Sequence, residues 1–152
     1  MFRGTSTLSL DDKGRFAIPT KYRNQLLADN GGEIICTINI GDPCLLLYSL
    51  SEWQIVEQRL AALSNMKERA KRMQRLVLGN AMDYQLDKHG RVLLAPHLRD
   101  YAKLDKKIVL VGQSNKFEIW DETLWQERMA KDIAIELEQD FDQDEDLGDF
   151  SF

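Results

Sequence analysis

Polar and apolar residues alternate along Thr7-Leu8-Ser9-Leu10, give way to a short charged stretch, and alternate again along Phe16-Ala17-Ile18. Alternation with a period of two puts one side of a strand in a core and the other in water, so both segments predict strands. The residues between them, Asp11-Asp12-Lys13-Gly14, predict a hairpin turn. Gly14 supplies the positive φ of a tight connection, and the Asp11 carboxylate accepts backbone N–H groups inside it. After Pro19 the period changes. Tyr22, Leu26 and Leu27 recur at helical intervals, with Thr20 as the expected N-cap and Asn30-Gly31-Gly32 as the stop. Residues 33–40 and 44–50, divided by Gly41-Asp42-Pro43, are apolar runs with β-branched and aromatic residues and predict two more strands. Ser51-Glu52-Trp53-Gln54 then has the form of a capping box, opening a helix with Trp53, Val56, Leu60 and Leu63 on one face.

The whole order repeats. Leu86, Asp87, Gly90 and Arg91 each lie 76 positions after Leu10, Asp11, Gly14 and Arg15, and the chain has 152 residues, twice that offset. In the second copy, residues 97–104 read as the short helix, 107–112 and 116–120 as strands around a tighter turn at Gln113-Ser114-Asn115, and 121–138 as a closing helix. A repeat of half the chain length predicts one pseudo-symmetric α+β body whose halves bury a core between them. The expected divisions are residues 5–52 and 81–124 for the two repeats, 53–80 for a helical connection, and 125–152 for a C-terminal helix and acidic tail.

Composition sharpens this picture where charge is concerned. The net charge of −5 comes from the end of the chain: from Asp132 onward there are nine acidic residues and no Lys or Arg. The first 131 residues hold all 20 basic residues against 16 acidic ones, 25 less the nine, a balance of +4 that suits a polyanionic partner. Hydrophobic residues make up 43% of the chain, yet no run approaches the eighteen or so apolar residues of a membrane span, and Met1 does not open a signal peptide. A cytoplasmic protein with no membrane partner is expected, with Cys36 and Cys44 as buried thiols. Lys67, Arg69, Lys71, Arg72 and Arg75 crowd into nine positions; a solvated helix face is the default reading, with phosphate contact and subunit pairing as the others. Trp53, Trp120 and Trp125 sit in apolar periodicity and fit core or subunit contacts. Pro19 and Pro96 read as strand-end stops. His89 and His97 have no second ligand at metal spacing, and no cofactor or metal is expected.

The candidate chemistry lies in the two turns. Arg15 and Arg91 follow Gly14 and Gly90, and Asp11 and Asp87, four residues earlier, can orient their guanidinium forks. A fork of this kind holds guanine O6 and N7 or a phosphate. The alternative is that each Asp–Arg pair only closes its turn. One such motif alone favours that alternative; matched copies at both positions, together with the family resemblance below, favour DNA.

The paired motifs "DDKGRFAIP" and "DKHGRVLLAP", with "MFRG", "CLLLYSLSEW" and "FEIWDETLW", resemble the MraZ family over nearly the whole chain. That resemblance implies two tandem SpoVT-AbrB domains, each giving β-hairpins to a swapped-hairpin barrel with flanking helices. It also implies a ring-like homo-oligomer that binds repeated double-stranded DNA boxes in its own promoter, at the head of a division and cell wall gene cluster. The family signature D-x-x-x-R falls on Asp11 with Arg15 and on Asp87 with Arg91. Arg15, Lys13, Arg91, Lys88 and Arg3 are the expected DNA contacts, and Asp11, Gly14, Asp87 and Gly90 support the turns. His89 stands where the first copy has Lys13, so the second tip is expected to hold phosphate less strongly. The tail after Leu137 matches nothing distinctive in the family. The function expected is a non-catalytic, nucleoid-associated repressor. A scaffold or protein-partner module is the alternative, and an enzyme using Asp11, Asp87 and His89 comes last, since no phosphate loop or nucleophile motif accompanies them.

Overall fold

The computed structural model describes residues 1–139 together with Asp146, Leu147 and Phe150; the rest of the expected acidic tail, over residues 140–152, lies outside them. The described chain runs β1 (Phe2–Ser9), β2 (Arg15–Ala17), α1 (Thr20–Ala28), a 3-10 turn (Asn30–Gly32), β3 (Glu33–Ile38), β4 (Leu45–Ser49), α2 (Leu50–Ala61) and α3 (Glu68–Gly79). It continues with β5 (Met82–Gln85), β6 (Arg91–Leu93), α4 (Pro96–Tyr101), β7 (Lys107–Ser114), β8 (Phe117–Asp121) and α5 (Glu122–Glu138). By contacts the chain divides into two units, Met1–Glu122 and Thr123–Phe152. The strands of both sequence repeats therefore fold inside the first unit, and nearly all of α5, the closing helix of the second repeat, lies in the second.

Six strands pair in the order β1-β7-β8-β4-β3-β5, and β2 and β6 form a ladder of their own, all antiparallel. The fold is α+β. Its ladders leave β1 and β5 as edges and do not close into a barrel among the described residues. The pairing crosses between the halves. β1 runs along β7 from Phe2↔Ser114 to Ser9↔Lys107, and β5 runs along β3 from Glu33↔Gln85 to Cys36↔Met82. β2 lies on β6 with Phe16 opposite Val92, and β4 lies on β8 with Leu46 opposite Glu118. Phe16 and Val92 are themselves 76 positions apart, so a pseudo-twofold axis passes between them.

The hairpins expected around the two turns are thus half right. The turns form, but their second arms pair with each other across the axis instead of with β1 and β5. β1 is already committed to β7, and exchanging the arms sends Phe16, Ile18, Val92 and Leu94 into the core, each at most 3% exposed. Burying a side chain of this size contributes roughly 1.5–3 kcal/mol, against about 0.5–1.5 kcal/mol net for a hydrogen bond. With only three residue pairs in its ladder, the ribbon is held to the body by side-chain burial more than by its hydrogen bonds.

Alternation in the central strands divides two apolar clusters. Ile34, Cys36 and Ile38 of β3 and Leu45 and Leu47 of β4 face the main core, with Phe16, Ile18, Val92 and Leu94 from the ribbon side. Ile35 and Tyr48 face the other way, towards Trp53 and Leu60 of α2 and Val77 of α3. The ribbon and the α2–α3 pair therefore cover opposite faces of the sheet. Both cysteines are buried and neither is in a disulfide, and desolvation pushes the Cys36 thiol far up, which keeps it inert.

Several helix starts differ from expectation. α2 begins at Leu50 directly from β4 with Ser49 in the N-cap position, and the Ser51 N–H is taken by Asn30 Oδ1 at 3.2 Å, so no capping box forms. Leu63 lies beyond the helix end and is exposed. Thr20 is the first helical residue of α1, after Pro19 in the cap position, and Pro96 opens α4. The prolines therefore start helices as well as ending strands, because their fixed φ suits the first turn. Trp53 and Trp120 are buried, as their periodicity predicts, and Trp125 is half-buried.

Candidate nucleic-acid interface

Each turn is built by one aspartate. Asp11 Oδ1 accepts the N–H groups of Lys13 at 3.0 Å and Arg15 at 2.8 Å, while Oδ2 accepts Arg15 Nε at 2.8 Å. Asp87 Oδ1 likewise accepts His89 N–H at 2.8 Å and Arg91 N–H at 3.4 Å, and Oδ2 takes Arg91 Nη2 at 3.1 Å. Gly14 at φ 87 and Gly90 at φ 67 close the turns through N–H bonds to the Asp11 and Asp87 carbonyls, both 3.0 Å. One carboxylate therefore fixes the turn backbone and aims a guanidinium. Both carboxyls are held below their usual value of 3.8. For Asp11 the Arg15 N–H is the largest cause, with desolvation opposing it and the Arg15 side chain adding to it. For Asp87 desolvation is the largest single influence and acts upward, but the hydrogen bonds from Arg91 and His89 together outweigh it.

The ribbon brings the two arginines to one surface. In the β2–β6 register Arg15 faces Leu93 and Ala17 faces Arg91, and all four are exposed while Phe16 and Val92 between them are buried. As diagonal neighbours on adjacent strands, Arg15 and Arg91 have Cα atoms about 7–8 Å apart. They line a shallow depression of about 270 Å³ with Ser9, Asp11, Phe16 and Ala17. A larger cavity of about 450 Å³ lies between β3, β5 and α2 and is lined by Glu33, Asp83, Tyr84 and Gln85 among others. Its two carboxylates and lack of cations give it the wrong sign for a polyanion.

Lys13 and Lys88 are exposed in the two turns beside this surface. Arg3 is not brought there: it stands near the start of β1, opposite Gln113, six residues or about 20 Å along the strand from Ser9. Its carbonyl accepts the Tyr22 hydroxyl, and its side chain is exposed. The second tip is not poorer in charge, as the His89 substitution alone suggests. Lys88 occupies the position of Asp12, so residues 87–91 carry a formal +1 with His89 neutral, while residues 11–15 sum to zero.

Two residues that sequence reasoning passed over complete the site. Arg23 of α1 and Arg99 of α4 lie 76 positions apart, and each sits against the glycine turn of the opposite half. A Cβ placed on Gly14 would come within 2.6 Å of Arg99 Nε, and one placed on Gly90 would come closer still to Arg23 Nε. Arg23 donates from Nη2 to the Ile18 carbonyl at 2.9 Å and from Nη1 to the Lys88 carbonyl at 3.4 Å; Arg99 donates from Nε to the Leu94 carbonyl at 3.2 Å. The backbone crosses in the same way, since Leu94 N–H donates to the Gly14 carbonyl at 2.9 Å and Ile18 N–H to the Gly90 carbonyl at 2.8 Å. A larger residue at either turn would have to take a positive φ and displace a guanidinium. The signal available in sequence was the shared offset of 76.

Comparison with known proteins places the whole chain, both repeats included, in one family. The family model described as "MraZ protein, putative antitoxin-like" matches twice, over residues 1–76 and 77–147, one copy for each repeat. "Transcriptional regulator MraZ" of Pseudoalteromonas translucida is 59% identical over 99% of both chains. The proteins of that name from Idiomarina loihiensis and Escherichia coli O9:H4 are 56% and 51% identical, again over 99% of both chains. Two family matches that divide at the repeat boundary, and relatives aligned from end to end, place the chain in the MraZ family.

Proposed function

We propose that this chain is a DNA-binding transcriptional regulator that reads duplex DNA with the β2–β6 ribbon and has no catalytic role. The observation that supports it most is the pair of aspartate-anchored arginines, Arg15 and Arg91, related by the pseudo-twofold axis on one exposed ribbon face. A major groove about 12 Å wide admits a two-stranded ribbon, and a fork-shaped guanidinium pairs with guanine O6 and N7. A separation of about 7–8 Å spans roughly two base-pair steps. Lys13 and Lys88 flank the ribbon as phosphate contacts, Arg3 serves as a remote one, and Asp11, Gly14, Asp87 and Gly90 hold the turns. The regulatory name carried by the relatives supports the same reading.

The crossing of β2 onto β6 and of β1 and β5 onto the other half's strands fits tandem AbrB-like halves that have swapped hairpins, and the barrel is the arrangement we propose for them. A single ribbon touches few base edges, so useful affinity requires several copies on repeated boxes, which favours a ring-like homo-oligomer. In this reading the protein represses the promoter ahead of its own gene and the adjoining division and cell wall genes, and resides at the nucleoid. The test is a gel shift of the full chain on the DNA upstream of its own gene against scrambled DNA of equal length. A shift of the upstream DNA alone is expected. Equal retardation of both would sink the sequence-reading role, and retention of neither would favour a protein-partner module.

A further inference from the structure

α3 carries a charge arrangement that folding does not call for. Its inner face is accounted for: Ala70 and Val77 are buried, Thr37 Oγ1 donates to the Val77 carbonyl at 2.6 Å, and Gln74 Nε2 donates to the Leu60 carbonyl at 2.8 Å. Its outer face presents Lys67 at the N-cap, then Arg69, Lys71, Arg72 and Arg75, all exposed. The acid on this face is Glu68, which meets Lys71 at 3.5 Å; Lys67, Arg69, Arg72 and Arg75 have no ion pair among the described residues. Lys67–Lys71 and Lys71–Arg75 are like-charge pairs at i,i+4, and Arg69–Arg72 and Arg72–Arg75 are like-charge pairs at i,i+3; each destabilises an isolated helix. Most of these cations also crowd the helix N-terminal half, where the macrodipole is positive and anions, not cations, are favoured. A local rule broken at several positions together is the mark of a surface kept for a ligand.

We infer that the outer face of α3 is a second, sequence-independent binding surface for the phosphate backbone of duplex DNA, directed away from the ribbon so that one chain holds two DNA segments. The direction follows from the layers. Ile35 and Thr37 of β3 face α3, while Ile34, Cys36 and Ile38 on the same strand face the core beneath the ribbon. Sheet and helix layers of about 10 Å each separate the two surfaces, so a duplex lying on the ribbon does not reach α3 of the same chain. The phosphate backbone is favoured over a protein because the outer face offers little to desolvate. Leu76 is its one exposed large apolar side chain, whereas protein interfaces centre on buried aromatic or aliphatic anchors. A phosphate backbone supplies dense negative charge to guanidinium forks and relieves the repulsion along the helix.

The test compares the full chain carrying Arg69→Ala, Arg72→Ala and Arg75→Ala with the wild type and with Arg15→Ala/Arg91→Ala on scrambled duplex DNA across a salt series. Each lost phosphate contact removes roughly 0.9 from the slope of log affinity against log salt, so the triple variant is expected to flatten it by roughly 2–3. Its preference for promoter over scrambled DNA should stay intact, and the matching triple Arg→Lys variant should keep the wild-type slope. The wild type bound to an immobilised duplex should capture a second, labelled duplex, and the triple Ala variant should capture much less. An unchanged slope, or equal capture by both, would overturn the inference. So would a fall of several degrees in the triple variant's melting temperature, because the cations would then serve the fold. Failure of the ribbon reading has a different signature: promoter preference surviving in Arg15→Ala/Arg91→Ala.

Discussion

The two turns share one plan and differ in how they spend their charge. The first, residues 11–15, holds Arg15 tightly, with N–H and Nε contacts to Asp11 both at 2.8 Å, and is formally neutral. The second, residues 87–91, holds Arg91 more loosely, at 3.4 and 3.1 Å, and is formally +1 because Lys88 replaces Asp12. A short double anchor fixes the direction of a fork, which suits recognition of a base edge. A looser fork with an extra cation suits a phosphate, whose oxygens accept from many directions. Pseudo-symmetry thus repeats the backbone while the side chains and their charge differ between the two turns.

Removing the forks is the strongest way to break this comparison. Arg15→Ala is expected to lower promoter affinity roughly 5- to 150-fold per ribbon, from about 1–3 kcal/mol for a bidentate base contact, and to erase preference over scrambled DNA. Arg91→Ala should cost less preference and lower affinity for both DNAs alike. Titrations on both DNAs at one salt concentration measure this, and greater loss of preference at Arg91 would reverse the assignment. Gly14→Ala comes next. Its positive φ alone costs about 1–2 kcal/mol, and contact with Arg99 adds to that, so the melting temperature should fall by several degrees. An Arg99→Ala background should recover part of the loss and an Arg23→Ala background none, because the contact crosses between the halves.

Arg99→Ala and Arg23→Ala sharpen the comparison more gently. Amide resonances of Gly14 and Arg15 should move in the first, and those of Gly90 and Arg91 in the second, with a several-fold loss of promoter affinity in each. Shifts confined to the half that carries the substitution would contradict the crossed packing. Exchanging Asp12→Lys with Lys88→Asp should leave total charge unchanged and carry the phosphate-type salt response from the second turn to the first. The smallest effect concerns pH. Both aspartates titrate below 3.8 in the folded chain, so the stability they contribute is fully present above that value and is lost as pH falls through their lowered folded values. Carboxyl carbon-13 titration should show both midpoints below 3.8. A midpoint at or above 3.8 for Asp11 would contradict its three hydrogen bonds.

Local interactions were legible in the sequence because they depend on spacing along the chain. Asp11 reaches Lys13 and Arg15 two and four residues on, Gly14 and Gly90 supply positive φ, and the offset of 76 duplicates both turns, which is why the motif and the family could be read without a structure. The order of strands and helices followed from periodicity for the same reason. The capping box at Ser51 misled because the competing partner, Asn30 Oδ1, comes from 21 residues away. Tertiary structure alone decided which strands pair. A period-two pattern in Phe16-Ala17-Ile18 is equally satisfied by β1 or by β6, and only the commitment of β1 to β7 and the burial of Phe16 against Val92's side of the ribbon select the exchange. That exchange sets Arg15 beside Arg91 on one face and places Arg23 and Arg99 on each other's turns. Contacts between residues so far apart in the chain follow no local period, so each turn was legible in the sequence and their union was made by packing.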